Sequence, residues 1–150
     1  MEGGLPDFTL DPRLAADTLP VVDLALSTVR LMRDANYPWL LLVPRRDGLT
    51  ELVDLAPADR GQLMTEISWV SDVLRDCVAC EKLNVAALGM IVRQLHVHVV
   101  ARTSADAAWP KPVWGAAPSQ PYPPGEAEAL AETLAARLNP YADRAVAKAQ

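Results

Sequence analysis

The chain of 150 residues holds two histidines, and both stand in one short stretch, Gln94-Leu95-His96-Val97-His98-Val99-Val100. An ordinary imidazole has a pKa of about 6.5, so near neutral pH one ring nitrogen keeps a free lone pair that can serve as nucleophile or base. Side chains alternate along an extended chain, which puts Gln94, His96, His98 and Arg102 on one face and Leu95, Val97 and Val99 on the other. The apolar face pins the register, because a slip of one residue would bury both rings. The two imidazoles therefore stand side by side on an exposed or cleft-facing surface. The competing reading, a half-buried pair that only packs, fits poorly with a clean i, i+2 spacing among valines. A second pair, Cys77-Val78-Ala79-Cys80, supplies with His96 and His98 the ligand types of a Cys2His2 zinc site. These cysteines fall near the end of a predicted helix with no loop-rich knuckle around them. The negative helix terminus there disfavours thiolate, so small packed thiols are expected instead.

The residues around the pair must build a sheet. Gln94–Ala101 reads as a strand, as does Lys82–Ala87 before it. Further upstream, Val21–Leu26 and Ser27–Arg33 are strand-like, the latter placing Val29 and Leu31 on one side. Asp34-Ala35-Asn36-Tyr37-Pro38 has the composition of a turn. Trp39–Val43 is apolar at every position and closes on Pro44, the pattern of a central strand covered on both faces. Pro57–Cys80 is predicted as a long helix, with proline tolerated in its first turn and Leu63, Ile67, Val70 and Leu74 forming one stripe. Six of thirteen prolines lie between Pro110 and Pro124, with Trp109 and Trp114 among them, which excludes a helix or inner strand. The two tryptophans are expected to pack as a cover over the sheet edge, in preference to lining a base pocket. Gly125–Leu138 then reads as a helix with Leu130, Leu134 and Leu138 on one face. Strands joined by short turns make the class α+β, an antiparallel sheet of about five strands with one long helix and a C-terminal helix.

Half of the residues (51%) are hydrophobic and 22% charged, a soluble globular profile that excludes disorder and a disulfide-stapled miniprotein. A net charge of −5 argues against nonspecific nucleic-acid binding, though a pocket for one nucleotide needs only local positive charge. Met1-Glu2-Gly3-Gly4 lacks the pattern of a secretion signal, and no apolar run approaches the ~18 residues of a membrane span. With two cysteines, the expectation is a cytoplasmic protein without membrane or nucleic-acid partners.

The histidine stretch resembles the signature of the histidine triad (HIT) family, His-φ-His-φ-His-φ-φ with φ hydrophobic, continued by Ala101-Arg102. Three other segments are similar to that family in the same order. Trp39–Arg46 resembles the strand that ends in Ile/Val-Pro-Lys. Leu83–Gly89 resembles its Asn-plus-Gly segment, and Ala108–Gly115 is similar to the tail of a bacterial subgroup whose triad also begins with Gln. The likeness covers roughly Val21–Gly115, so 1–115 is taken as a HIT-like domain and 116–150 as a proline-rich cover and helix packed on it. Two positions depart from the pattern. Gln94 stands where the family has its first histidine, and Met90-Ile91 where many members place polar side chains against phosphate.

The resemblance implies a nucleotide-binding hydrolase that cleaves a phosphoramidate or phosphoanhydride bond beside a nucleoside 5′-phosphate, with no cofactor and no metal. His96 maps to the nucleophile that forms a nucleotidyl-histidine, and His98 to the last triad histidine, which contacts phosphate and aids the leaving group. Gln94 can donate and accept hydrogen bonds in place of the first imidazole. Asn84 is assigned to phosphate or ribose, Asp34 or Asn36 to the ribose hydroxyls, and Arg102 to positive charge at the end of the catalytic strand. A solvated strand end is the competing reading of Arg102. The family also implies a homodimer through the long helix and the strand after it, where Met64 and Trp69 add apolar surface. The alternative function is a nucleotide-binding module with little or no catalysis.

Overall fold

The computed structural model describes residues 8–145; the opening Met1–Gly4 lies outside them. A short helix α1 (Pro12–Asp17) leads into strands β1 (Thr18–Asp23), β2 (Ser27–Met32) and β3 (Trp39–Pro44). A 3₁₀ turn at Leu52–Asp54 precedes the long helix α2 (Pro57–Cys77). Strands β4 (Lys82–Ala86) and β5 (Val97–Arg102) follow, then α3 (Glu126–Leu138) and a last 3₁₀ turn at Asn139–Tyr141. The five strands form one sheet in the order β1-β2-β3-β5-β4, antiparallel throughout. The class is α+β. Strand β5, which carries His98 and the second half of the histidine motif, is thereby an inner strand, flanked by β3 and β4.

Each sheet face has its own apolar layer. On one, Val29, Leu31, Leu40, Leu42, Val97 and Val99 meet Leu63, Ile67, Val70 and Leu74 of α2 and Leu134 and Leu138 of α3. Helix α3 is thus built into the same core as the sheet. On the other, Trp39, Leu41, Val43 and Val100 are covered by Leu14 of α1 and by Ala108 and Val113 of the proline-rich segment. Trp39–Val43 is buried on both faces, as its unbroken apolar run requires.

Several boundaries move for identifiable reasons. Strand β1 begins at Thr18, three residues before the predicted start. Leu24–Leu26 turns instead, with Leu24 N–H bonded to the Ser27 carbonyl and the Leu26 and Ser27 amides held by Glu66. Helix α2 ends at Cys77, leaving Cys80 beyond it. Gly125 sits at φ 82, in the left-handed region open to glycine, so α3 starts only at Glu126. Strand β5 starts at Val97, three residues after Gln94, because Leu95 N–H bonds the Leu49 carbonyl of a loop rather than a ladder partner. Among the described residues no helix is long and apolar enough to cross a membrane.

Candidate active site

His96 lies just before β5 and His98 within it, on the sheet face that carries Trp39 and Val100. The rings contact one another edge to face, with centroids 4.8 Å apart. They are more enclosed than an open strand face would leave them, 7% and 5% exposed, yet both line a cleft of about 270 Å³. Its walls include Leu14 and Arg13 of α1, Met90 and Ile91 of the loop before the motif, and Trp114.

Hydrogen bonding assigns each ring its tautomer. His96 Nδ1 lies 2.7 Å from the Gln94 carbonyl oxygen, which can only accept, so Nδ1 carries the proton and Nε2 keeps its lone pair. Trp39 Nε1–H, which can only donate, reaches His98 Nδ1 at 3.0 Å. That nitrogen must therefore be bare, and the neutral ring carries its proton on Nε2. Burial, reinforced by the neighbouring His96, pushes the His98 pKa down to about 3, so the ring is an uncharged donor at neutral pH. Trp39 is a site residue that motif reasoning missed. Its signal was its parity with Leu41 on β3, which faces His98 in the ladder.

The other sequence-predicted residues are dispersed. The Gln94 amide does not line the cleft: its oxygen accepts from Asp11 N–H and its nitrogen donates to the Thr9 carbonyl, both at 2.9 Å. Arg102 is 3% exposed, so it is not a solvated strand end. Its guanidinium is shared among the Asp106 carboxylate, Asn84 Oδ1 and the Lys111 carbonyl. The Arg102 partner holds the Asp106 carboxyl down to about 2. Asn84 is thus drawn to Arg102 and away from the cleft. Asp34 lines an adjoining cleft of about 350 Å³ that shares Asp17 and Met32 with the histidine cleft. One of its oxygens accepts the amides of Asn36 and Gln120. Asn36 instead donates to the Pro118 carbonyl and braces the proline-rich segment.

One expectation is corrected outright. The proline-rich cover lies over the histidine face of the sheet and not along its edge. Trp114 stands at the cleft, 5.3 Å from the His98 ring and 5.9 Å from Trp39, while Trp109 sits beside Arg102. Trp69, expected to add surface for a partner, is half-buried, with Tyr141 stacked on it at 4.9 Å. Cys77 and Cys80 pack against the core layer on the far face of the sheet from the histidines, so the four side chains cannot share one metal.

Comparison with known proteins agrees with this fold. Residues 14–105 match the model of the HIT domain. The structure is similar to a histidine triad protein from Bradyrhizobium japonicum, at 48% identity, covering 88% of this chain and 98% of that one with a TM-score of 0.85. A histidine triad (HIT) protein from Sinorhizobium meliloti is 44% identical, with 90% and 97% covered and a TM-score of 0.83. One from Marinobacter aquaeolei is 39% identical, with 90% and 96% covered and a TM-score of 0.81. No curated protein matches the chain.

Proposed function

Because the chain belongs to the histidine triad family, we propose that it is a nucleotide-binding hydrolase cleaving a P–N or P–O–P bond next to a nucleoside 5′-phosphate, through nucleotidyl-His96. The observation that carries this reading is the opposite tautomers of the two rings. His96 Nε2 offers a lone pair while the Gln94 carbonyl holds Nδ1–H, so the positive charge that develops on the ring during attack meets a fixed acceptor. Attack forms the Nε2–P bond, and the amine or phosphate leaving group departs with the P–X electron pair. Water then attacks phosphorus, breaks the N–P bond, returns its pair to the ring and releases a nucleoside monophosphate. His98 acts from Nε2–H as a neutral donor to a phosphate oxygen. It is too weak an acid to give that proton up, so the leaving group takes its proton from solvent. The adjoining cleft at Asp34 suits the nucleoside, with Trp114 beside the phosphate end.

One observation favours the weaker alternative, a binding module. Met90 and Ile91 wall the cleft with exposed apolar side chains where donors to phosphate would speed the reaction. Incubation with AMP and GMP phosphoramidates and dinucleoside polyphosphates, followed by product chromatography, separates the two. Release of a nucleoside monophosphate supports the hydrolase, and nucleotide binding without product supports the module. The same reading includes a homodimer formed over α2 and β4, acting in the cytoplasm. Support for the dimer comes from an apolar groove of about 300 Å³ between them, beside the exposed Leu52, Met64 and Val85.

A further inference from the structure

We propose that Arg13 is the phosphate-binding cation of the histidine cleft, and that Gln94 is a positioning residue that holds α1, which carries it. The proposal rests on the nucleotide reading above and adds a subsite to it. A nucleoside phosphate entering a chain of net charge −5, at a cleft that also presents Asp17, needs a local cation. The cation expected from the motif, Arg102, is spent on Asp106, Asn84 and the Lys111 carbonyl and does not line the cleft. Arg33 lines the adjoining cleft but not the one that holds the histidines. Among the described residues, Arg13 is the one lysine or arginine in the cleft that holds both histidines.

Its setting suits exchange with an anion. The side chain is 62% exposed and its partner Asp17, 3.9 Å away, is 55% exposed, a weak pair that a phosphate can displace. The backbone beneath is fixed. Leu14 is buried in the histidine-face core, Thr18 Oγ1 donates to the Leu14 carbonyl, and the Asp11 carboxylate caps the helix through Arg13 N–H. Gln94 completes the anchorage. Its amide presents an acceptor and a donor together, clasping Asp11 N–H and the Thr9 carbonyl much as a neighbouring strand would. The residue that takes the first histidine's place in the motif thus acts on the site through α1, while its own carbonyl orients His96.

The test is calorimetric titration of the full chain with AMP and with adenosine. Arg13→Ala is expected to weaken AMP by about tenfold to a hundredfold, the usual loss for a charge-assisted phosphate contact. Adenosine affinity is expected to stay within about twofold of wild type, and Arg13→Lys to recover part of the AMP loss. Gln94→Ala should weaken AMP by less, and the double variant should bind AMP no worse than Arg13→Ala alone, because both act through one cation. Unchanged AMP affinity in Arg13→Ala overturns the proposal. So does equal loss of adenosine, or a wild-type chain that binds AMP no better than adenosine. Arg13-dependent AMP binding without any nucleotidyl-His96 keeps this subsite and overturns the hydrolase reading instead.

Discussion

His96 and His98 enter the cleft as opposite tautomers, one offering a lone pair and the other a hydrogen-bond donor, because a carbonyl and an indole N–H fix their Nδ1 atoms. Replacing His98 with Leu removes a donor aimed at developing phosphate charge and should lower turnover about 10²–10³-fold, whereas His98→Gln, which keeps an N–H, should lose less. Steady-state hydrolysis of an AMP phosphoramidate by the two variants checks the order. The buried ring also predicts an acid sensitivity. His98 titrates at about 3 when folded and near the ordinary 6.5 when unfolded, so between those values the unfolded chain binds the extra proton. Its contribution to stability is complete above about 6.5 and falls as pH drops through that window, by up to about 1.4 kcal/mol per pH unit. Urea melts at pH 7 and pH 5 should show that loss in wild type and a shallower one in His98→Gln. At this scale the histidine pair was legible because alternation with valines leaves few alternatives. Trp39 and Arg13 were not, since pairing across strands and a six-residue helix with one buried side chain leave no periodic trace.

Among the elements, α2 does more than cover the sheet. Glu66 is fully buried on it and accepts the Leu26 and Ser27 amides and the Gln62 side chain, closing the β1–β2 turn from forty residues away. Glu66→Leu would strand two buried amides and should cost about 2–4 kcal/mol in chemical denaturation, with AMP affinity preserved because the cleft lies on the other face. The Leu63–Leu74 stripe of this helix was readable from its 3.6 period, but nothing in that period marks Glu66 as a buried carboxylate. Strand β5 shows the converse. Alternation continued by sequence through Gln94, but pairing with β3 ends at Val97, and what precedes it is loop that positions His96 through its backbone. Alternation marks which side chains share a face, and hydrogen-bond partners decide where the strand begins.

For the whole molecule, the proline-rich segment and α3 belong to the layers around one sheet, the first over the histidine face and the second beside α2. Composition pointed to a soluble domain of mixed class, and the motif order to the fold, but the height of the cover above the site depends on contacts such as Asn36 with Pro118 that no local pattern encodes. An apolar groove also lies uncovered between α2 and β4, where Met64 is 62% and Val85 48% exposed. Burial of that patch against a second copy predicts a dimer in sedimentation at micromolar concentration, and Met64→Glu with Val85→Glu should give monomers. A wild-type monomer under those conditions contradicts the interface.

Whether His96 Nε2 carries the nucleotide can be read by intact-mass and peptide mass spectrometry after rapid mixing with an AMP phosphoramidate and a denaturing quench. An AMP adduct is expected on the peptide containing His96, localised to that ring, absent in His96→Asn and still formed, more slowly, in His98→Gln. An adduct on His98, or unimpaired turnover by His96→Asn, would contradict that role for His96.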